Sequence, residues 1–290
     1  DYNMIVEPYR YFLPLLMLAT LVSLITLMGF ALLILPGIYF ALSYSFAPYL
    51  LMAKKMGIAV DILDFGKNRA VDFQVLSEKI NSEPKTKYKS ILMTHVDTST
   101  SVKNDIASVR QILDDTKSSA LLAVDCIASL ACDRFEMDDW GVDIMVAACQ
   151  KGLMVPPGIG FVFFNNKAKE RQKSLTNVSS YWDWAPRVNP GLYYEYFCGT
   201  APTHHIYGLR TALDMIKSEE IEKTWKRHEI LSQAIWAAID RWSSAGDISL
   251  NVKNAKSTEF TNFLPIFSIS LLRVAEKNKV CLIFGKFSEI

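Results

Sequence analysis

The chain has 290 residues, 50% of them hydrophobic, with 21% charged side chains and a formal net charge of +1. This length suits one or two domains, and this composition suits a packed core rather than a disordered chain. Charge is balanced and no basic stripe is interleaved with aromatics, so nucleic-acid binding has no support. The five cysteines (Cys126, Cys132, Cys149, Cys198 and Cys281) form no CxxC pair and read as reduced, buried thiols. The four histidines (His95, His204, His205 and His228) match no zinc-ligand spacing.

The first 53 residues differ from the rest. From Tyr11 to Ala53 no side chain is charged, whereas about 20 apolar residues already suffice to cross a bilayer. Pro36-Gly37 divides the run. Residues 15–35 are long enough to span, while 38–52 are shorter, carry Pro48, and read as a second tilted span or an interfacial segment. Arg10 ahead of the run and Lys54-Lys55 behind it suit a hairpin with both ends in the cytosol. Residues 1–53 are therefore expected to form an apolar helical segment tethering a cytoplasmic domain to the inner membrane. The competing reading is a buried helical pair of a soluble protein. The stretch LLILPGIYFALSYSFAPYLLM resembles part of a family of uncharacterised polytopic bacterial inner-membrane proteins.

Beyond Lys54 the pattern becomes α/β. Apolar runs at 58–63, 90–94, 120–125, 143–147 and 159–164 read as strands, and 104–115 as a helix with Ile106, Val109, Ile112 and Leu113 on one face. Strands separated by such helices predict a mostly parallel sheet, buried on both faces. After Trp184 the chain is aromatic-rich and loop-like; 206–242 is helical, and ISLNV at 248–252 opens a new strand. The expected organisation is a large domain over 54–242 and a truncated smaller one over 243–290.

Ligands on parallel sheets bind at the carboxyl ends of the strands. Asp125 ends one apolar run, Ser99 lies in the loop after another, and Lys151 follows a third in GVDIMVAACQKGLMVPPG. A carboxylate and an amine delivered from the ends of neighbouring strands form the pair that pyridoxal phosphate chemistry needs. The amine condenses with an aldehyde and moves protons, and the acid keeps a pyridine nitrogen protonated. A strand-end aspartate can equally cap a helix, and the lysine can be a solvated surface residue.

The segment VDCIASLACDRFEMDDWGVDIMVAACQKGLMVPPGIGFVFF, with THVDTSTSVKNDI before it and YWDWAPRVNP and YFCGTAPTHHIYGLRTALDMI after it, resembles the core of class V, fold-type I pyridoxal-phosphate-dependent aminotransferases. The alanine/serine–glyoxylate (or pyruvate) group fits best, over about residues 52–252. The resemblance implies Lys151 as the Schiff-base lysine and Asp125 as the partner of the pyridine nitrogen. It implies Ser99 and Gln150 as polar cofactor contacts, and Thr200 as a contact to the cofactor phosphate of a neighbouring subunit, hence a homodimer. Without the family context, Ser99 and Thr200 read as ordinary turn or cap residues.

The implied activity is transfer of an amino group between alanine or serine and glyoxylate or pyruvate. The alternatives are an inactive, membrane-associated fragment and a membrane protein whose cytosolic domain binds partners. The sequence also departs from the family pattern. No Gly-rich phosphate-binding turn or stacking ring precedes residue 52, Ser101 stands where the family has glycine, and no counterpart of the arginine that pairs with the substrate carboxylate is reached, Arg273 not matching it. A fused or truncated gene product with exposed sheet edges and weak cofactor affinity is expected.

Overall fold

The computed structural model describes residue 14 and residues 16–24, 59–66, 69–98, 100–175, 178, 183–197, 199–244 and 279–284. Residues 16–24 are helical and expose Leu16, Met17, Leu21 and Leu24. No helix among the described residues is long and apolar enough to cross a membrane. Most of the uncharged run 11–53 lies outside the described residues.

The expected α/β architecture is present. In chain order the elements are β1 (Ala59–Asp64), α1 (Phe73–Asn81), β2 (Tyr88–Thr94), α2 (Ile106–Asp115), β3 (Leu121–Asp125), β4 (Ile144–Ala148), β5 (Gly160–Phe164), α3 (Asn166–Lys173), α4 (Ala185–Val188), a 3-10 turn (Tyr193–Phe197), α5 (Thr203–Glu219), α6 (Ile221–Ser243) and β6 (Lys279–Phe284). The sheet order is β1-β6-β2-β3-β4-β5. Its centre is parallel: β2 pairs with β3, and β3 with β4. β5 runs antiparallel to β4. The connection between them has no crossover helix, so the chain can only fold back. Lys279–Phe284, in the stretch read from sequence as a truncated small domain, pairs antiparallel with β2 inside this same sheet. The strand expected at 248–252 lies outside the described residues.

Local chemistry explains the helix starts. Asp72 accepts from the Gln74 and Val75 N–H groups at the head of α1, and Asp105 accepts from Ser108 N–H at the head of α2. Each cap satisfies donors that the first helical turn leaves unpaired. The buried stripe of α2 is Ile106, Val109 and Leu113, with Ile112 packed beside it, as its spacing predicts. These side chains join Leu76 and Ile80 of α1, Ile91 and Met93 of β2, and Leu122 and Val124 of β3 in one core. Each fully buried aliphatic side chain there contributes about 1.5–3 kcal/mol. The helical region expected as one piece at 206–242 is two helices. Glu220 takes φ +71° and breaks the run between α5 and α6. Across that corner Glu219 accepts from Arg227 through both carboxylate oxygens, at 2.6 and 2.8 Å.

A polar hub holds the amino-terminal end of β4. Asp143 is 2% exposed. Its carboxylate accepts from Leu122 N–H at 2.8 Å, from Asn165 Nδ2 at 2.9 Å and from Lys167 Nζ at 3.3 Å. It thereby ties β3, β4 and the head of α3 together. Removing a buried charge partner strands the others. Asp143→Ala is expected to cost roughly 3–5 kcal/mol, read as a fall in the urea unfolding midpoint.

Candidate active site

Asp125 closes β3 and is half-buried. It lies opposite Thr94 of β2 on one side and Val146 of β4 on the other. Its Oδ1 accepts from Ile127 N–H at 2.8 Å, so the carboxylate is oriented by the turn that follows it. That turn runs from Cys126 to Asp133 and is closed by Leu130 N–H to the Cys126 carbonyl, 2.9 Å, and Asp133 N–H to the Ser129 carbonyl, 2.8 Å. Burial pushes the Asp125 pKa up, and the Ile127 N–H pulls back against it. The carboxylate is thus a partly desolvated anion, which a cation beside it would relieve.

Lys151 follows β4 in a tight loop built around Cys149. The fully buried Cys149 thiol donates to the Pro156 carbonyl (3.1 Å) and accepts from Ile159 N–H (3.3 Å), while its own backbone pairs with Ile159 and Val155. This explains the cysteine beside the lysine as the pin of the loop. Gly152 brings the loop against the turn after Asp125: a Cβ there would lie 2.2 Å from the Leu130 carbonyl oxygen and 2.7 Å from Cys132 Sγ. Only a residue without a side chain permits that approach. The Cys132 thiol is pushed up to about 11 by burial first and by the Asp133 carboxylate, against the opposing pull of Arg227 and Lys151. The lysine charge therefore acts on the turn that carries Asp125. Farther along, a Cβ on Gly158 would lie 2.5 Å from His205 Nε2, so α5 backs the same loop. Leu209 and Ala212 of α5 pack with Cys149 and Val155.

The third loop follows β2. His95 N–H donates to the Asp125 carbonyl at 2.9 Å, and Asn104 N–H donates to the His95 carbonyl at 2.8 Å. Val96 and Lys103 form an isolated bridge that closes the loop. Ser99 itself lies outside the described residues. Ser101, which replaces the family's glycine, has φ +59° and donates its N–H to the Asp97 carbonyl at 2.8 Å. The position does need the left-handed conformation, as its glycine-like place in the loop predicts. Ala131 (φ +64°) and Met154 (φ +58°) adopt it too, in the other two loops. Such backbone is costly for a residue with a Cβ and gathers where geometry is held for function. Lys103 pairs with the buried Asp133 at 3.0 Å, joining this loop to the turn after Asp125.

Of the residues expected at the site, Asp125 and Lys151 lie at the same end of adjacent parallel strands. Gln150 is exposed beside the lysine. Thr200 is exposed just ahead of α5, next to a 3-10 turn that exposes Tyr193, Tyr194 and Tyr196. Reading the sequence had not singled out His95, Ser129, Asn104 or the Lys103–Asp133 pair. Their only signal was position, directly at the ends of β2 and β3. The donor set fits pyridoxal phosphate: an amine and a desolvated carboxylate at neighbouring strand ends suit an aldehyde and a cationic ring nitrogen.

The comparisons agree with this geometry. The Aminotransferase class-V family matches residues 44–286, and the chain belongs to that family. It is similar to the serine–glyoxylate aminotransferase of Arabidopsis thaliana, 35% identical over 192 residues, covering 65% of this chain and 47% of that protein. The L-aspartate–glyoxylate aminotransferase of Paracoccus denitrificans is 33% identical, covering 66% of this chain and 48% of that protein. The solved alanine–glyoxylate aminotransferase of a Nostoc species shares the fold, with a TM-score of 0.58 at 23% identity, over 75% of this chain and 61% of that one. The chain spans about half the length of the curated relatives it matches.

Two measurements probe the loops. Ser101→Gly is expected to raise stability by roughly 0.5–1 kcal/mol, because glycine meets no Cβ penalty at positive φ; the urea midpoint reads it. Burial holds the His95 pKa down at about 3. The unfolded chain takes up this proton near pH 6.5, while the folded chain does not. Above that pH the residue contributes no slope. Below it, stability falls by at most about 1.4 kcal/mol per pH unit until the folded pKa is reached. His95→Asn is expected to remove that part of the slope in melting curves taken between about pH 7 and pH 4.

Proposed function

We propose that this chain carries the catalytic elements of a pyridoxal-phosphate-dependent aminotransferase that moves an amino group between a small amino acid, alanine or serine, and glyoxylate or pyruvate. The observation that carries the reading is the pair Asp125 and Lys151 at the carboxyl ends of β3 and β4, with Gly152 seating the lysine's loop on the aspartate's turn. When bound, pyridoxal phosphate supplies an aldehyde that takes up the amino group and a ring that delocalises the charge left on the substrate's α-carbon. Lys151 Nζ takes the proton from that carbon and returns one on the other side of the reaction. Asp125 accepts from the ring N–H and holds the proton there. Gln150 and Ser99 supply polar contacts to the cofactor.

The relatives' names share glyoxylate while differing in donor, which favours glyoxylate as acceptor. Thr200, exposed beside exposed tyrosines, is assigned to the phosphate held by a second copy, so the working form is a homodimer. The uncharged run 11–53, with its exposed Leu16, Met17, Leu21 and Leu24, supports contact with a membrane.

The test is incubation with pyridoxal phosphate, borohydride reduction and peptide mapping. The label is expected on Lys151 and nowhere in Lys151→Ala. A folded protein that takes no label on this lysine sinks the reading. Production of glycine from glyoxylate and serine or alanine is expected to fall roughly 10²–10⁴-fold in Lys151→Ala.

A further inference from the structure

Two buried side chains at the strand ends have no part in the chemistry so far. His95 is fully buried, and its Nδ1 lies 2.9 Å from Ser129 Oγ. Its ring packs against Phe135 at 5.2 Å and edge-on to Trp140 at 5.8 Å. Its Nε2 is buried without a hydrogen-bond partner. Ser129 Oγ also faces the Cys126 carbonyl at 3.5 Å. The arrangement that satisfies both contacts has the serine hydroxyl donating to that carbonyl and the His95 Nδ1–H donating to Ser129 Oγ. The bare Nε2 lone pair is then left among aromatic rings, which costs less than an unpaired N–H would.

The pair joins the loop after β2 to the middle of the turn after β3. That turn contains Ile127, whose N–H is the hydrogen bond that orients the Asp125 carboxylate. The backbone repeats the connection one residue away, with His95 N–H on the Asp125 carbonyl at 2.9 Å. Two hydrogen bonds from one residue thus reach Asp125, one directly and one through Ser129 and the turn.

We propose that His95 and Ser129 are positioning residues: their hydrogen bond locks the turn Cys126–Asp133 so that Ile127 N–H holds Asp125 in the orientation its ring-nitrogen role requires. This deepens, and rests on, the aminotransferase reading. A buried neutral hydrogen bond of this kind, once lost, frees the turn without removing any apolar packing. The orientation and desolvation of Asp125 then relax together.

The experiment uses the full chain without added cofactor. The Asp125 carboxyl is titrated by carbon-13 NMR, and exchange of the Ile127 amide is followed, in wild type, Ser129→Ala, His95→Leu and His95→Asn, with circular dichroism confirming the fold of each. Asn places a donor nitrogen near the position of His Nδ1. In Ser129→Ala the Asp125 titration is expected to move down by about half a unit or more toward the ordinary carboxylate range, with Ile127 exchange roughly 5–10-fold faster. His95→Leu is expected to match it and His95→Asn to stay near wild type. If His95→Leu does not fold, Ser129→Ala alone decides. An unchanged Asp125 titration and Ile127 exchange in folded Ser129→Ala overturns the proposal, as does a His95→Asn variant that behaves like Ser129→Ala. A separate arm measures pyridoxal phosphate fixed on Lys151 by borohydride, expected to drop roughly 5-fold in Ser129→Ala. Absence of label in wild type would count against the aminotransferase reading, while the titration would still decide the positioning role.

Discussion

Parallel pairing between β3 and β4 determines where the chemistry can be. Because Asp125 stands opposite Val146, the two strands finish at the same level, and whatever follows each is delivered to one crevice. Cys126 N–H bonded to the Val146 carbonyl at 2.8 Å extends the pairing one residue past the strand, so the turn after Asp125 leaves the sheet from a fixed point. A slip of one residue would turn every side chain of β4 to the other face of the sheet. It would also carry the lysine's loop away from Leu130 and Cys132.

The two ends of the sheet are built differently. At the amino-terminal end of β4, Asp143 gathers backbone and side-chain donors into a satisfied buried network. At the carboxyl end, three residues with a Cβ sit at positive φ, one in each of the three loops that surround Asp125 and Lys151. The contrast fits the usual relation between fold and site: regular, well-paired structure bears the strain that the loops require. The aromatic packing of His95, Phe135 and Trp140 lies under those loops and stiffens them from below.

The strands were legible because each is an apolar run bounded by polar residues, and the helix at Ile106–Asp115 because its buried residues recur at helical spacing. Asp125 and Lys151 were legible for a related reason: a titratable side chain directly after an apolar run stands out. What the sequence concealed was long-range. Ser129 and His95 are 34 residues apart, and nothing in either neighbourhood announces that they meet. Lys103 with Asp133 and Leu122 with Asp143 are of the same kind. The break at Glu220 was hidden because glutamate is a good helix former and carries no turn signal. Pairing of Lys279–Phe284 with β2 depends on register between segments nearly two hundred residues apart, which local pattern does not encode.

The sulfur of Cys149 holds the lysine's loop closed from both sides, giving a proton to one strand of the loop and taking one from the other. No path from solvent leads to it while the loop is shut. An alkylating reagent can reach it only in the moments when the loop has come away. The speed of that reaction is therefore a clock for breathing of the crevice, and a molecule caught in this way would lose its lysine's placement without the amine ever having been touched.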